Sequence, residues 1–341
     1  MSEIILPPWP WDGPPRDLLE RRVGQLADQL RPGPVYLLVN PMLGGDPPGI
    51  EVDEEEATAE WPAGPQQARE AAWSRTVHSL HTPEFRRHKE IRFPYLVRLE
   101  GVPDPLLAAS VEWAMQEHLV GCAQGGGAYR IGGWLQAHGA VDHPIALERL
   151  ASNVDHDGQA LARQLTRMIQ WKDQLICLFD RRVLHTLRIG GTRIDWPGAL
   201  QGIQRWNYLD HNFNLQTLEG PRGQPADKPL LQNATHATLI AQCLAIHRAQ
   251  SILLRTVFPL PDDTLPTLAA KVEKAGHHLS YAEDQAAYAA EALLEPAFEH
   301  WPQLPQLTAA IRRTRQELAD ALVVLRHEWA GKPISHWSSA V

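Results

Sequence analysis

The sequence predicts an α/β or α+β N-terminal lobe, a mixed sheet flanked by helices, followed by a smaller all-α C-terminal lobe. Three observations point there. Apolar runs of strand length, VYLLVN from Val35 and PYLVRLEG from Pro94, alternate with stretches whose apolar residues recur every three or four positions. Beyond Gly220-Pro221 the strand signals cease and only helical periodicity follows. The 341 residues suffice for one large or two moderate domains with a buried core. The expected boundaries are 1–33 for a Pro/Trp-rich segment and helix, 34–222 for the α/β domain, 230–330 for the helical lobe and 331–341 for a tail.

Residues 1–14 contain Pro7-Pro8-Trp9-Pro10-Trp11, a composition that favours extended chain. Arg16 to Leu30 form an amphipathic helix through Leu18, Leu19, Val23, Leu26 and Leu30, stopped by Pro32-Gly33-Pro34. VYLLVN is almost continuously apolar, as strands buried on both faces are. From Pro41 to Pro65, paired Gly and Pro residues and the acidic run Asp53–Glu56 predict a loop. Residues 66–92 begin helical and turn basic at Arg86, Arg87, Lys89 and Arg92. Pro94–Gly101 is a second strand, Asp104–Leu119 a helix, and Tyr129–Leu135 a third strand after the Gly125-Gly126-Gly127 turn. Ile145–Leu150 and Gln159–Trp171 are helical. Leu175, Ile176, Leu178 and Phe179 then read as a short apolar strand, Asp180-Arg181-Arg182 as a charged corner, and Val183, Leu184 and Leu187 as a helical turn. Trp206, Tyr208, Phe213, Leu215 and Leu218 fit a hairpin turned by Asp210-His211-Asn212. After the polar stretch 223–229, helices are expected at Ala234–Thr256, Thr264–Ala275, Tyr281–Phe298 and Gln306–Trp329, punctuated by prolines.

Composition narrows the function classes. Lys and Arg total 32 against 40 Asp and Glu, a formal charge of −8, which argues against nucleic-acid or anionic-membrane partners. The 3 cysteines, Cys122, Cys177 and Cys243, are far apart and read as buried free thiols of a reducing compartment, with no disulfide frame. The N-terminal prolines interrupt any signal-peptide core, and no window reaches the roughly 18 apolar residues of a membrane span. A soluble, cytoplasmic protein without membrane insertion is expected. Of the 12 Trp, most belong to cores by their usual fate, while Trp9 and Trp11 are candidate exposed anchors.

Motifs that resemble chemistry read more simply as structure. Asp155-His156-Asp157-Gly158 precedes a helix, where Asp supplies a cap, and no second ligand cluster at metal spacing stands nearby. Gly125-Gly126-Gly127 with Gly132-Gly133 lacks the spacing and the Lys-Ser/Thr of a phosphate loop. His78, His81 and His88 fall in a basic, Pro-broken stretch and read as a solvated surface, and His277-His278 as a helix end. No nucleophile elbow is present, so no catalytic residue, metal or cofactor is expected. The Asp180-Arg181-Arg182 corner is open to two readings: a capped joint between two elements, or a surface that recognises a partner.

The chain resembles the type VI secretion system effector adaptor (chaperone) family. The resemblance rests on VYLLVN, on Pro94-Tyr95-Leu96-Val97, on the Phe179-Asp180-Arg181-Arg182-Val183-Leu184 corner, and on the closing Ile203-Gln204-Arg205-Trp206. It covers residues 34–220, and departs from the family pattern at Arg181, where Pro is usual, and at Cys177, where Arg is frequent. It implies a non-enzymatic adaptor that binds a secreted effector protein in the cytoplasm and helps load it onto the spike-tip protein of the secretion machine. Phe179, Asp180, Arg182, Trp206 and Tyr208 are then the candidate partner-binding residues. The rival readings are a hydrolase whose site assembles from scattered residues such as Asp155, His156 and Asp180, and a self-assembling helical scaffold.

Overall fold

Val35–Val39 (β1) is buried at all five positions, which places it at the centre of the sheet. A computed structural model of the chain describes residues 15–294 other than 31, 44, 51, 53–64, 82–91, 101–103, 125–128, 139–154, 172–173, 191–193, 224–229, 231–234, 255–259, 262 and 280. Arg16–Gln29 (α1) precedes β1, and Pro65–Trp73 (α2) follows it. Val77–Ser79 (β2), Tyr95–Leu99 (β3), Pro105–Gln124 (α3) and Ile131–Ala137 (β4) come next, then His156–Met168 (α4). A two-residue ribbon, Gln170–Trp171 (β5) with Gln174–Leu175 (β6), leads to Arg181–Gly190 (α5) and the short Trp196–Ala199 (α6). Ile203–Leu209 (β7) and Leu215–Glu219 (β8) close the sheet.

Six strands form the sheet in the order β2-β3-β1-β4-β7-β8. The expected class is found, a sheet flanked by helices with further helices after it; the mixed sheet resolves into an antiparallel one at every pairing. Register sorts the side chains. Tyr36 lies opposite Arg98 and Leu135, Leu135 opposite Trp206, and Trp206 opposite Leu218, so these share one face. Helix α4 packs on that side, against β2, β3 and β4. On the other face Trp134 donates to Ser110 Oγ of α3 at 2.8 Å, and Trp73 of α2 meets Trp113 of α3 edge to face. The end of α1 docks at the far strands, where Gln29 accepts from Thr217 Oγ1 at 2.9 Å and from Arg205.

Both sheet ends are finished by side chains. In the β7–β8 hairpin, Asp210 Oδ1 accepts the N–H groups of Asn212 and Asn214 at 2.8 and 2.9 Å, as the expected turn chemistry requires. At the opposite rim, the Val77 N–H of β2 donates to Glu70 Oε1 of α2 at 3.3 Å, so α2 occupies part of that edge.

Several local expectations are corrected. The strand expected over residues 175–179 stops at Leu175; Leu178 N–H then bonds Ile176 O at 2.7 Å, and Asp180 N–H bonds Cys177 O at 2.9 Å. The apolar run is instead a tight turn that buries Ile176, Leu178 and Phe179. β2 and α6 were unmarked by periodicity. Cys177 is exposed, not buried, whereas Cys243 is buried and its thiol is pushed up to about 12 by burial. His78 is 8% exposed, so it is no surface residue. Trp73, Trp134 and Trp206 are core residues. Trp9, Trp11, His88, Cys122, Gly125–Gly127 and the helices expected at 145–150 and 306–329 lie outside the residues and side chains described.

The described residues divide into two units, one within Pro8–Leu184 and Arg193–Gln232, the other within His185–Thr192 and Asn233–Val341. In the second, Thr235–Leu254 (α7), Thr264–Gly276 (α8) and Ala282–Leu294 (α9) pack pairwise around Ala245, Ala249, Leu253, Leu268, Val272 and Ala289. Alanines at the contact let the helices approach closely. Among the described residues no helix is long and apolar enough to cross a membrane.

Candidate functional site

Two polar assemblies stand out in the sheet unit. The first is the corner that the sequence singles out. Asp180 caps α5: its Oδ1 accepts the Arg182 N–H at 3.0 Å, and its Oδ2 pairs with Arg182 Nη2 at 2.7 Å. The Arg182 guanidinium lies 3.7 Å from the Tyr129 ring centroid, a cation–π contact. Arg181 turns inward and is 3% exposed. Its Nη1 donates to Glu117 Oε2 at 3.2 Å and to Ile131 O at 3.0 Å, and its Nη2 donates to Ala114 O. Glu117 in turn accepts the N–H groups of Arg130 and Ile131. Burial pushes the Glu117 carboxyl above the ordinary carboxylate range, against the pull of Arg181 and those N–H groups. The pair joins α3, β4 and the start of α5; removing one partner of such a buried pair typically costs about 3–5 kcal/mol.

Phe179, Asp180, Trp206 and Tyr208 are each no more than 4% exposed, while the Arg182 side chain is 21% exposed. Phe179 and Trp206 meet the same stretch of β4. A Cβ on Gly132 would lie 2.6 Å from Phe179 O, and Trp206 Nε1 donates to Gly132 O at 3.3 Å. Glycine at 132 is what allows this approach. Of the five candidates, Arg182 alone reaches solvent appreciably.

The second assembly was not legible as a unit. Asp155 caps α4 through Gly158 N–H, as expected, but both of its oxygens also reach the sheet. Tyr36 Oη donates to Oδ1 at 2.6 Å, His78 Nε2 lies 3.0 Å from Oδ2, and Arg98 Nη1 lies 3.8 Å from Oδ2. Burial alone would raise the Asp155 carboxyl; hydrogen bonds from His78, Tyr36 and Gly158 instead hold it down to about 2. Burial and the Asp155 carboxylate push the Tyr36 phenol well up. Above this pair a groove of about 370 Å³ opens between α2, β2 and α4. Gln66, His78, His81, Gln159, Arg163 and Arg167 line it, with Ser79 and Thr166 hydroxyls between them. His81, Gln159, Arg163 and Arg167 are exposed. Asp155 and Asp180 belong to separate networks, so the scattered set of Asp155, His156 and Asp180 is not gathered at one place.

No family model, curated protein or solved structure matches the chain. The chemistry on hand is therefore that of the side chains themselves. Among the described residues, exposed Gln159, Arg163 and Arg167 of α4 line the groove, and the Asp155 carboxylate that holds His78 lies next to it.

Proposed function

We propose that the chain is a non-enzymatic adaptor that binds a toxic effector in the cytoplasm and helps load it onto the spike-tip protein of a type VI secretion machine. The ordered resemblance of residues 34–220 supports this reading. The residues carrying it fall on β1, β3, β7 and the α5 corner of one sheet unit, and they are largely buried. They act as marks of a shared fold, which leaves partner contact to exposed surface. The observation that carries the reading is the polar groove between α2, β2 and α4, whose exposed side chains fit recognition of another polypeptide. No cofactor enters it.

Co-purification tests the adaptor reading directly. The full chain, expressed with the effector and spike-tip protein of the same locus, is expected to give a ternary complex that survives gel filtration. Absence of any complex with either protein removes the reading. A hydrolase is the second reading, favoured by the His78–Asp155 hydrogen bond at the groove. It predicts turnover of generic ester or phosphate substrates that His78→Gln abolishes.

A further inference from the structure

We infer that two copies of this chain pair through the outer side of β8, strand against antiparallel strand, about a two-fold axis at Thr217. This association is independent of the proposed function and goes beyond it.

The backbone of β8 carries the argument. Asp210 N–H donates to Asn214 O at 3.0 Å, which fixes which opposed pairs of the hairpin are hydrogen-bonded. From there the ladder alternates: Gln216 and Leu218 turn their N–H and C=O groups toward β7, and Leu215, Thr217 and Glu219 turn theirs outward. β8 ends the sheet, and among the described residues none of those outward groups has a hydrogen-bond partner. Proteins ordinarily guard such an edge with a proline, a lysine, a bulge or a covering element. The 5 residues Leu215–Glu219 contain neither proline nor lysine, and their pairing with β7 runs without a register shift. Their one charged residue, Glu219, stands at the strand end and pairs with Arg205 at 2.7 Å. Helix α1 leaves the edge open. Gln29 meets both Thr217 of β8 and Arg205 of β7, so the end of the helix lies above these strands and not beside the outer one.

Self-complementarity names the occupant. The outward residues 215, 217 and 219 are symmetric about Thr217. A second β8 laid antiparallel sets Leu215 opposite Glu219 of the other copy and Thr217 opposite its own equivalent, and each opposed pair exchanges two backbone hydrogen bonds. Sliding the copies by two residues loses contacts either way. It recruits Phe213, whose φ of 61° is not extended, or Pro221, which has no N–H. The centred register also keeps the two Glu219 side chains about 14 Å apart along the strands, beyond the screening length of about 8 Å at physiological salt. Threonine facing threonine is a favourable cross-strand pair. A strand from an unrelated polypeptide would need none of this symmetry. The axis places both α1 helices on one face, with their ends about 10 Å apart, the ordinary spacing of packed helices. Because Glu70 takes the Val77 N–H at the β2 rim, the assembly closes at two copies.

Sedimentation equilibrium and oxidative cross-linking of the full chain test the pairing. The mass is expected to rise from one chain to two between about 1 and about 200 µM, since so small a contact makes a weak dimer. Leu215 is part-buried and would face Glu219 of the other copy, so Leu215→Lys should tighten the dimer and Leu215→Glu loosen it. The two variants should differ about tenfold in dissociation constant at low salt. Thr217→Cys, on a Cys177→Ser background that removes an exposed native thiol, should form a disulfide between copies under mild oxidation. Opposed Cα atoms lie about 5.5 Å apart at such a pair, within disulfide reach. Glu219→Cys on the same background should form none. Should Thr217→Cys lower the melting temperature, because Thr217 holds Gln29 and Asn207, the Leu215 variants read the same contact. A single-chain mass at about 200 µM overturns the inference and leaves the rim to a strand of another polypeptide. A dimer indifferent to both Leu215 substitutions, or cross-linked by Glu219→Cys and not by Thr217→Cys, overturns it in favour of a different face.

Discussion

Asp155 does three things with two oxygens: it caps α4, accepts the Tyr36 phenol and holds His78. The cap was legible, because an Asp three residues before a Gly, ahead of an amphipathic run, is local chemistry. Its other partners were not, because Tyr36 and His78 lie 119 and 77 residues away in sequence and are delivered by the sheet. Arg181 repeats the lesson. It reads as a departure beside the more noticeable Arg182, yet it is the arginine that pairs with Glu117, 64 residues away. The Asp155 carboxyl, held at about 2, gives a prediction with a definite sign. A carboxyl lowered in the folded state adds stability above its unfolded value of about 3.9, and that stability fades as pH falls toward the folded value. Asp155→Asn should therefore cost about 2 kcal/mol in urea unfolding at pH 7. The difference from the unaltered chain should shrink as pH drops from about 4 to 2. A cost that is the same at pH 7 and pH 2.5 would contradict the assignment.

At the scale of elements, strands with enough apolar residues to show a pattern were readable: β1, β3 and the β7–β8 hairpin all sit where the sequence puts them. β2 was not, since three residues, Val77-His78-Ser79, are too few for alternation to register and its central side chain is polar. The apolar run at 175–179 misled for the opposite reason. Burial explains its composition, but a turn satisfies burial as well as a strand does. The groove escaped notice because it lies where α2, β2 and α4 meet and belongs to none of them alone. The approach of α4 to the sheet is set by Gly158, where a Cβ would come within 2.3 Å of the His78 ring and 2.7 Å of Tyr36. Alanine is the better helix former by about 1 kcal/mol, so propensity alone predicts that Gly158→Ala stabilises. Packing predicts the reverse, a loss of about 1–3 kcal/mol, because the helix start must lift from β1 and β2. The urea midpoint decides between them, and a rise would show that the contact gives way easily.

For the whole molecule, the change in character near Gly220 was plain from composition, and the contacts divide the chain into a sheet unit and a helical unit. Local periodicity does not show that Arg181–Leu184 of α5 group with the sheet unit and His185–Gly190 with the helical unit. A chain truncated after Gln232 keeps all six strands and the helices α1 to α4 that cover them. It should unfold in urea as one cooperative transition reported by Trp134 and Trp206, both fully buried. A gradual, non-cooperative fluorescence change would mean that the sheet depends on the helical unit for its integrity. The clasp of Glu70 on Val77 bears on life at high concentration in a crowded cell. A bare rim on a sheet invites other chains to zip on, and a row of such additions grows into fibrils. By occupying a rim amide with a carboxylate on a rigid helix, the protein denies newcomers a starting rung there.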